Sequence, residues 1–523
     1  MTPTFSFNLV DEPWIPCLDS NGKPVELNLR EVFAQAHQLA GVVGDSPPVT
    51  VALHRLLLAI LHRVFGPEDE EEWVALWEAD QWDAQAINAY LDDWRHRFDL
   101  FDTKHPFFQA ADKRVKPKSV ISLNHDRASG NNPTLFDHHN EEGGESLSPA
   151  QAARSLLTAQ SFGLAGLSGI TQKFTDGTCA GGTLFLIEGD SLRKTLLLNL
   201  IQYPSRNDHF QIHSSDDIPA WEMADPFKPE RTEPLGYLDY LTWHNRRVLF
   251  FPERAGEDVV VRTMTMGPGL RYNPSTLNPM KNYRHDDKLG HIAISFSENR
   301  VFWRDSATLF TFSEKLDGAA RPPANLRWLN YLISEMGVPD KQDTYRTQAV
   351  GMSKKQAKVF FFRQEQLPMP LAYLADANLV TTLHNALQKT GSIAFDLVQT
   401  ARLMGMIQQV ANGEENGWQK QWGGLNPNAK SAINDWIAHT GMERTYWSGL
   451  DIPFQSFIVD LAKDQEQALA DWFTQLKSAA KDAFEQAAEC VGTDGRSFKA
   501  VVRGRSYLNY RLKESLPNVE ETQ

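Results

Sequence analysis

Four strings in this chain carry residue types able to do chemistry. Asp137-His138-His139-Asn140 sets a carboxylate beside two imidazoles, a donor set that suits manganese or zinc and hence metal-assisted phosphoester hydrolysis. Gly163-Leu-Ala-Gly-Leu-Ser-Gly169 can cradle a phosphate with backbone N–H groups, because glycines let main chain come close. Gly351-Met-Ser-Lys-Lys-Gln-Ala-Lys358 puts Lys354, Lys355 and Lys358 around Gln356, between apolar strand-like runs. Such a tip offers cations to phosphates and an amide to base edges, or a wedge for a base step. Arg496, Lys499 and Arg503 recur at spacings of three and four, so a helix would show them on one face. Arg505, Arg511 and Lys513 follow, with Tyr507 and Tyr510 between them.

Each string also has a plainer reading. The Asp-His-His triplet resembles the DHH phosphoesterase signature, but Asn131-Asn-Pro-Thr-Leu-Phe136 precedes it instead of an apolar strand, and no Asp-x-Asp lies upstream. A polar loop is the alternative. The glycine string follows a helical pattern and lacks the Lys-Ser/Thr pair of a nucleotide P-loop. A connecting turn and a loop pressed against nucleic acid both stay open. The late cations form either a phosphate-binding stripe or a solvated helix face. His105-Pro-Phe-Phe108 reads as a packed turn, and neither HExxH nor Gly-x-Ser-x-Gly is present. The sequence therefore predicts no enzyme, no resident metal and no cofactor.

The elements that must position these strings follow from size and pattern. A chain of 523 residues, 41% hydrophobic with 14 Trp and 29 Phe, fills more than one core. Cys17, Cys179 and Cys490 are far apart, which argues for a reducing compartment and against a cysteine-built zinc site. The N-terminus has no signal-peptide pattern, and the apolar run near Val51–Phe65 is broken by charged residues, so a cytoplasmic protein with a buried helix is expected. A formal charge of −14 confines any nucleic-acid contact to small basic patches.

Alternation predicts strands at Phe5–Leu9 and Val25–Leu29, and helical spacing follows at Leu29–Ala40, Val49–Phe65, Glu71–Trp77 and Ala84–Phe98. Asp112–Pro149 is a long polar loop. Ser148-Pro149 opens a helix, Gly181–Ile187 a buried strand, and residues 235–365 mix short strands with a helix near Asn325–Glu335. Leu367-Pro-Met-Pro370 reads as a linker, beyond which helices fall near Asn378–Thr390, Ile393–Ala411, Arg444–Leu461, Glu466–Cys490 and Ser497–Leu516. The expected fold class is α+β: an irregular mixed α/β N-terminal domain, residues 1–366, then a C-terminal four-helix bundle, residues 371–523.

Taken in order, several strings resemble the CasA family, the large subunit of the type I-E CRISPR surveillance complex Cascade. Leu9-Val-Asp-Glu-Pro-Trp-Ile-Pro16 with the Gly22 turn is similar to the family's opening, and His105-Pro-Phe-Phe-Gln109 to its next landmark. The glycine string, Gly181-Gly182, Arg193–Leu200, Leu235-Gly-Tyr…Trp243 and Gly351–Lys358 follow in the family's order. The resemblance implies a non-catalytic subunit that recognises the protospacer-adjacent motif (PAM) in double-stranded DNA, wedges the duplex open to start an R-loop, and helps recruit a helicase-nuclease. It implies that Gln356 is the wedge beside Lys354 and Lys355, and that Gly163, Gly166, Leu167, Ser168 and Gly169 read the minor groove. Arg271 and Lys281 are candidates for the family's groove cation. Leu135, Phe136 and Asp137 match the segment that docks on the guide RNA end and neighbouring subunits. Arg496, Lys499, Arg503 and Arg505 would hold DNA strands on the bundle. Some members carry a cysteine cluster where this chain has Met264, Met266 and Gly267, which implies a lost zinc site. The implied partners are the backbone, small and guide-end-capping Cascade subunits, the CRISPR guide RNA, target DNA and the nuclease.

Overall fold

The computed structural model describes residues 5–123, 145–203, 216–297, 300–312, 320–355, 358–410 and 417–517. The chain divides into two compact units. The first holds residues up to Phe302, Thr311–Lys341 and Tyr345–Gln366; the second holds Trp303–Phe310, Gln342–Thr344 and the chain from Leu367 onward.

The first unit is built on the helix Pro47–Phe65, which starts at Ser46 with prolines in its first turn and is buried on nearly every side. It is the one helix among the described residues long and apolar enough to cross a membrane, and 83% of its apolar window lies inside the protein, which marks a core helix. Pro149–Phe162 packs along it. There Ser148 accepts from the Gln151 N–H while the Gln151 side chain accepts from the Ser148 N–H, a capping box.

Among the described residues, strands surround these helices in four small sheets. β1 (Ile15–Asp19), β2 (Pro24–Leu27) and β3 (Leu39–Val42) form one, in the order β2-β1-β3. β4 (Lys118–Ser119) and β5 (Thr183–Glu188) are edge strands of two others, and β6 (Arg246–Ala255) and β7 (Asp258–Pro268) make a long ribbon beside β4. β8 (Tyr283–Asp286) and β9 (Gly290–Ala293) form a hairpin; β10 (Thr344–Lys355) lies between β5 and β11 (Lys358–Pro370). The stretch Phe5–Leu9, expected as a strand, instead runs into a turn. Asn8 accepts from the Val10 N–H at 3.1 Å and donates to the Arg95 carbonyl at 3.0 Å, which diverts the backbone from extended pairing. The supposed linker Leu367–Pro370 is a correction of another kind, because it completes β11 with Leu367 and Met369 buried. β11 is an edge strand, so its prolines can lie where the ladder needs no N–H.

In the second unit the two helices expected at Asn378–Thr390 and Ile393–Ala411 are one helix, Ala377–Gln409. Gly391, between the two expected segments, costs about 1 kcal/mol against alanine, and the buried row Ala386, Thr390, Ile393, Ala394 and Leu397 carries the helix past it. Met442–Leu461, Gln465–Glu489 and Gly495–Ser515 complete the bundle, with the shorter Trp418–Gly424 and Pro427–Thr440 beside the first helix. Phe457 stacks on Trp472 at 4.6 Å, and Gly504 brings the last helix so near Met404 that a Cβ there would lie 2.8 Å from its Sδ. Trp303 belongs to this core. It stacks on Phe454 at 4.4 Å and donates its indole N–H to Asp451 at 2.7 Å, while Phe310 stacks on Tyr373 at 5.0 Å.

Candidate nucleic-acid interface

The glycine string opens where the helix Pro149–Phe162 ends. Gly163 caps the helix by donating to the Ala159 carbonyl at 3.0 Å, and a Cβ there would meet that carbonyl at 2.6 Å and the Arg246 guanidinium at 2.7 Å. The chain then folds back on itself. Gly166 and Phe174 exchange two backbone hydrogen bonds, at 3.2 and 3.0 Å, and the Gly177 N–H donates to the Gly163 carbonyl at 2.7 Å. The Ala165 N–H is held by Asp176 at 2.8 Å. At the tip the Ser168 hydroxyl donates to the Gln172 carbonyl and accepts from the Ile170 N–H, so it is spent on the turn itself. Leu167 is 86% exposed, and Gly169 takes a left-handed φ of +81° with open space around it. The result is a closed loop with an apolar point.

Arg246, which sequence reasoning missed, pins this loop from below. Its guanidinium donates to the Leu164 carbonyl at 2.6 Å and the Thr175 carbonyl at 2.9 Å, and lies 4.5 Å over the Phe174 ring. Its own backbone is clasped by Gln160, which accepts from its N–H at 2.8 Å and donates to its carbonyl at 3.0 Å. Burial pushes the guanidinium down to about 9, so it keeps its charge at neutral pH. The one visible signal was the pair Arg246-Arg247 directly before an apolar strand in an acidic chain.

The second feature is the hairpin of β10 and β11. β10 pairs with β5 from Arg346 opposite Glu188 to Gly351 opposite Thr183, and β5 begins straight after Gly181 and Gly182. Gly351 is a point of close approach, since a Cβ there would lie 3.1 Å from both the Gly182 carbonyl and the Phe296 ring. Past Gly351 the strand continues for four residues beyond its last partner in β5, about 13 Å of ribbon at strand rise. Gln356 lies between β10 and β11 and outside the described residues; of Lys354 and Lys355 only the strand backbone is described. Both loop and hairpin belong to the first unit, on either side of β5 in sequence.

The other predicted residues scatter. Arg271 is exposed and makes no ion pair among the described residues, whereas Lys281 is 7% exposed, packed beside Gly182. Of the two, Arg271 is the cation presented to solvent. Leu135, Phe136 and Asp137, with His138 and His139, lie outside the described residues. Among the described residues no group of three His, Cys, Asp or Glu side chains is arranged to hold a metal ion. Met264 is fully buried in β7, a packing residue. On the last helix Arg496, Lys499 and Arg503 are exposed beside Phe498, 72% exposed, while Arg505 is held by Glu485 at 2.6 Å. Arg496 also donates to the Gln408 carbonyl at 3.2 Å, and the charge of Arg505 is partly neutralised.

Comparison with known proteins defines the class. The chain matches the family model described as CRISPR-associated protein Cse1 over residues 8–483. It is 34% identical over 525 residues to CRISPR-associated protein CasA/Cse1 of Thermus thermophilus, covering 97% of each chain. The crystal structure of Cse1 from Acidimicrobium ferrooxidans superposes with a TM-score of 0.79 at 26% identity, covering 98% of this chain and 99% of that one. A chain of a CRISPR RNA-guided surveillance complex shares the fold, with a TM-score of 0.74 at 22% identity over 96% of this chain and 99% of that one. This chain belongs to the CRISPR-associated Cse1 (CasA) family.

Proposed function

We propose that this chain is the non-catalytic large subunit of a type I-E CRISPR surveillance complex. It recognises the PAM in double-stranded target DNA with the Gly163–Gly169 loop and opens the duplex with Gln356. The observation that carries this reading is the loop: its one hydroxyl, on Ser168, is spent on the turn, and it offers solvent an exposed Leu167 and a bare glycine backbone. Such a tip suits a groove whose donor and acceptor pattern is degenerate, where shape and close approach count for more than hydrogen bonds. The hairpin, whose strands run on past the end of β5, fits a wedge, since separating a base step costs a few kcal/mol that guide pairing can return. Assembly with the backbone, small and guide-end-capping subunits and the guide RNA follows from the family, as does recruitment of a helicase-nuclease. The bundle face of Arg496, Lys499 and Arg503 would hold a DNA strand.

Electrophoretic binding of the reconstituted complex tests this. Gln356→Ala is expected to weaken binding to intact duplex at least tenfold and to leave binding to a target unpaired beside the PAM nearly unchanged. Equal losses on both targets, or none, would remove the wedge. Lys354→Ala/Lys355→Ala should weaken both targets alike.

A further inference from the structure

Beside the foot of the glycine loop lies a pocket of about 540 Å³ whose chemistry the loop reading does not use. Its central residue is Arg247 on β6. The guanidinium lies 3.6 Å over the ring of Phe227, which is itself locked in a buried cluster with Trp243 and Leu270. Stacking fixes the plane of the guanidinium but uses none of its N–H donors. Among the described residues Arg247 has no hydrogen-bond acceptor and no ion-pair partner, although it is half-buried in a protein of net charge −14. Burial lowers its affinity for its proton while more distant carboxylates raise it. A rigid, partly dehydrated arginine with free donors is an anion receptor.

The surroundings preserve that character. Of the carboxylates around it, Asp112 is already committed: both its oxygens accept from Arg114, at 2.8 and 2.7 Å. It sits in the space left by Gly267, which faces Arg247 across the ribbon and where a Cβ would collide with the carboxylate. Asp225 accepts from the Phe227 N–H at 3.0 Å and faces Lys228 at 3.9 Å; Glu230 is exposed on the rim. Arg114 then reaches out of its ion pair to donate to Gln172, within the glycine loop, at 3.1 Å. The anion pocket and the groove-reading loop are therefore one connected piece.

We propose that Arg247 is a binding site for a backbone phosphate of the target duplex, engaged when the Leu167 tip enters the groove. A minor groove is only about 6 Å wide and is walled by two phosphate backbones, so a cation at the foot of an inserted loop meets one of them. This proposal rests on the loop reading. Its contribution would be affinity without sequence preference, since phosphates position and bases specify.

The test is target binding by the complex reconstituted with full-length variants, using duplexes randomised at the PAM and a salt titration. Arg247→Ala should weaken binding roughly tenfold for every PAM alike and flatten the slope of log K against log salt by about one. Arg247→Lys should recover the salt slope but only part of the affinity, because an ammonium does not stack or fork. Gly166→Val, which disturbs the loop, should change the PAM preference. If Gly166→Val alters binding and Arg247→Ala leaves affinity and salt slope unchanged, the phosphate site is wrong and the loop reading stands. If neither variant affects target binding, the loop reading itself has failed. If Arg247→Ala instead prevents assembly on the guide RNA while its melting temperature is unchanged, the phosphate belongs to RNA and the proposal is overturned.

Discussion

The two units solve the same problem, burying a chain without orphaning its backbone, by different means. In the bundle, long helices satisfy their own N–H and C=O groups, and buried polar side chains are few. Thr390 is the centre of one small set: its carbonyl accepts from Tyr446 at 3.1 Å and its hydroxyl from Trp472 at 3.2 Å. The first unit is mostly loops and short strands, and its carbonyls need donors from elsewhere. Arginines supply them. Arg55 donates to Tyr240, Arg97 to Met223, Arg154 to Trp14, and Arg246 to Leu164 and Thr175, all at carbonyl oxygens. One guanidinium with five donors fastens several loop strands at once. The irregular unit is thus held by point ties, and a loop tied at its base can present an unencumbered tip.

Breaking that contrast at its strongest points gives the largest effects. Trp303→Ala should cost the bundle about 3–5 kcal/mol through the cavity beside Phe454 and Trp472, read by chemical denaturation. An unchanged midpoint would mean that the helices alone hold the bundle. Arg246→Ala leaves the Leu164 and Thr175 carbonyls without their donor and should cost roughly 2–4 kcal/mol. Limited proteolysis should then cut between residues 163 and 177 before anywhere else in the first unit; protection there would show that the tie is dispensable.

Acid should act on the first unit, which buries His54, His62 and His244. Burial holds all three below the ordinary histidine value, His62 at about 3 and His244 at about 4. The unfolded chain takes up protons first, so their stabilisation is complete above about pH 6.5 and is lost as pH falls toward 4. By pH 5, His62 and His244 should each have cost about 2 kcal/mol. His62→Leu should flatten that decline, since neither ring nitrogen has a partner; an equally steep decline would assign the acid sensitivity elsewhere. The smallest effect belongs to the tip. Leu167→Ala should move stability by no more than about 0.5 kcal/mol, while altering target binding a few-fold in an electrophoretic assay.

Helices were the legible part of this chain. The caps at Ser148 and the apolar runs of Pro47–Phe65 and Ala324–Met336 are local signals, read from a few neighbouring residues. The two segments at Asn378–Thr390 and Ile393–Ala411 are one helix because the cost of Gly391 between them is small against the packing of a long buried face. Leu367–Pro370 misled because two prolines look like a linker until the strand is known to be an edge. At the site, the glycine string and the lysine-rich hairpin were legible as motifs. Arg246, Arg247 and Asp112 were not. Arg246 acts on loop and helix partners 71 to 86 residues away in sequence. Arg247 and Asp112 take their roles from a stacked ring and a glycine across the ribbon. Nothing local distinguishes a guanidinium that clamps a loop from one that dissolves a surface.

The residues Trp303–Phe310 carry an evolutionary consequence. Because the bundle's core includes a plug encoded ahead of Leu367, the bundle is not a cassette. A recombination event that moved the helices alone into a related gene would bring Phe454 and Tyr373 without the rings that cover them. Transfer of the helices without Trp303–Phe310 should therefore destabilise the bundle, which favours exchanges that keep the two segments together.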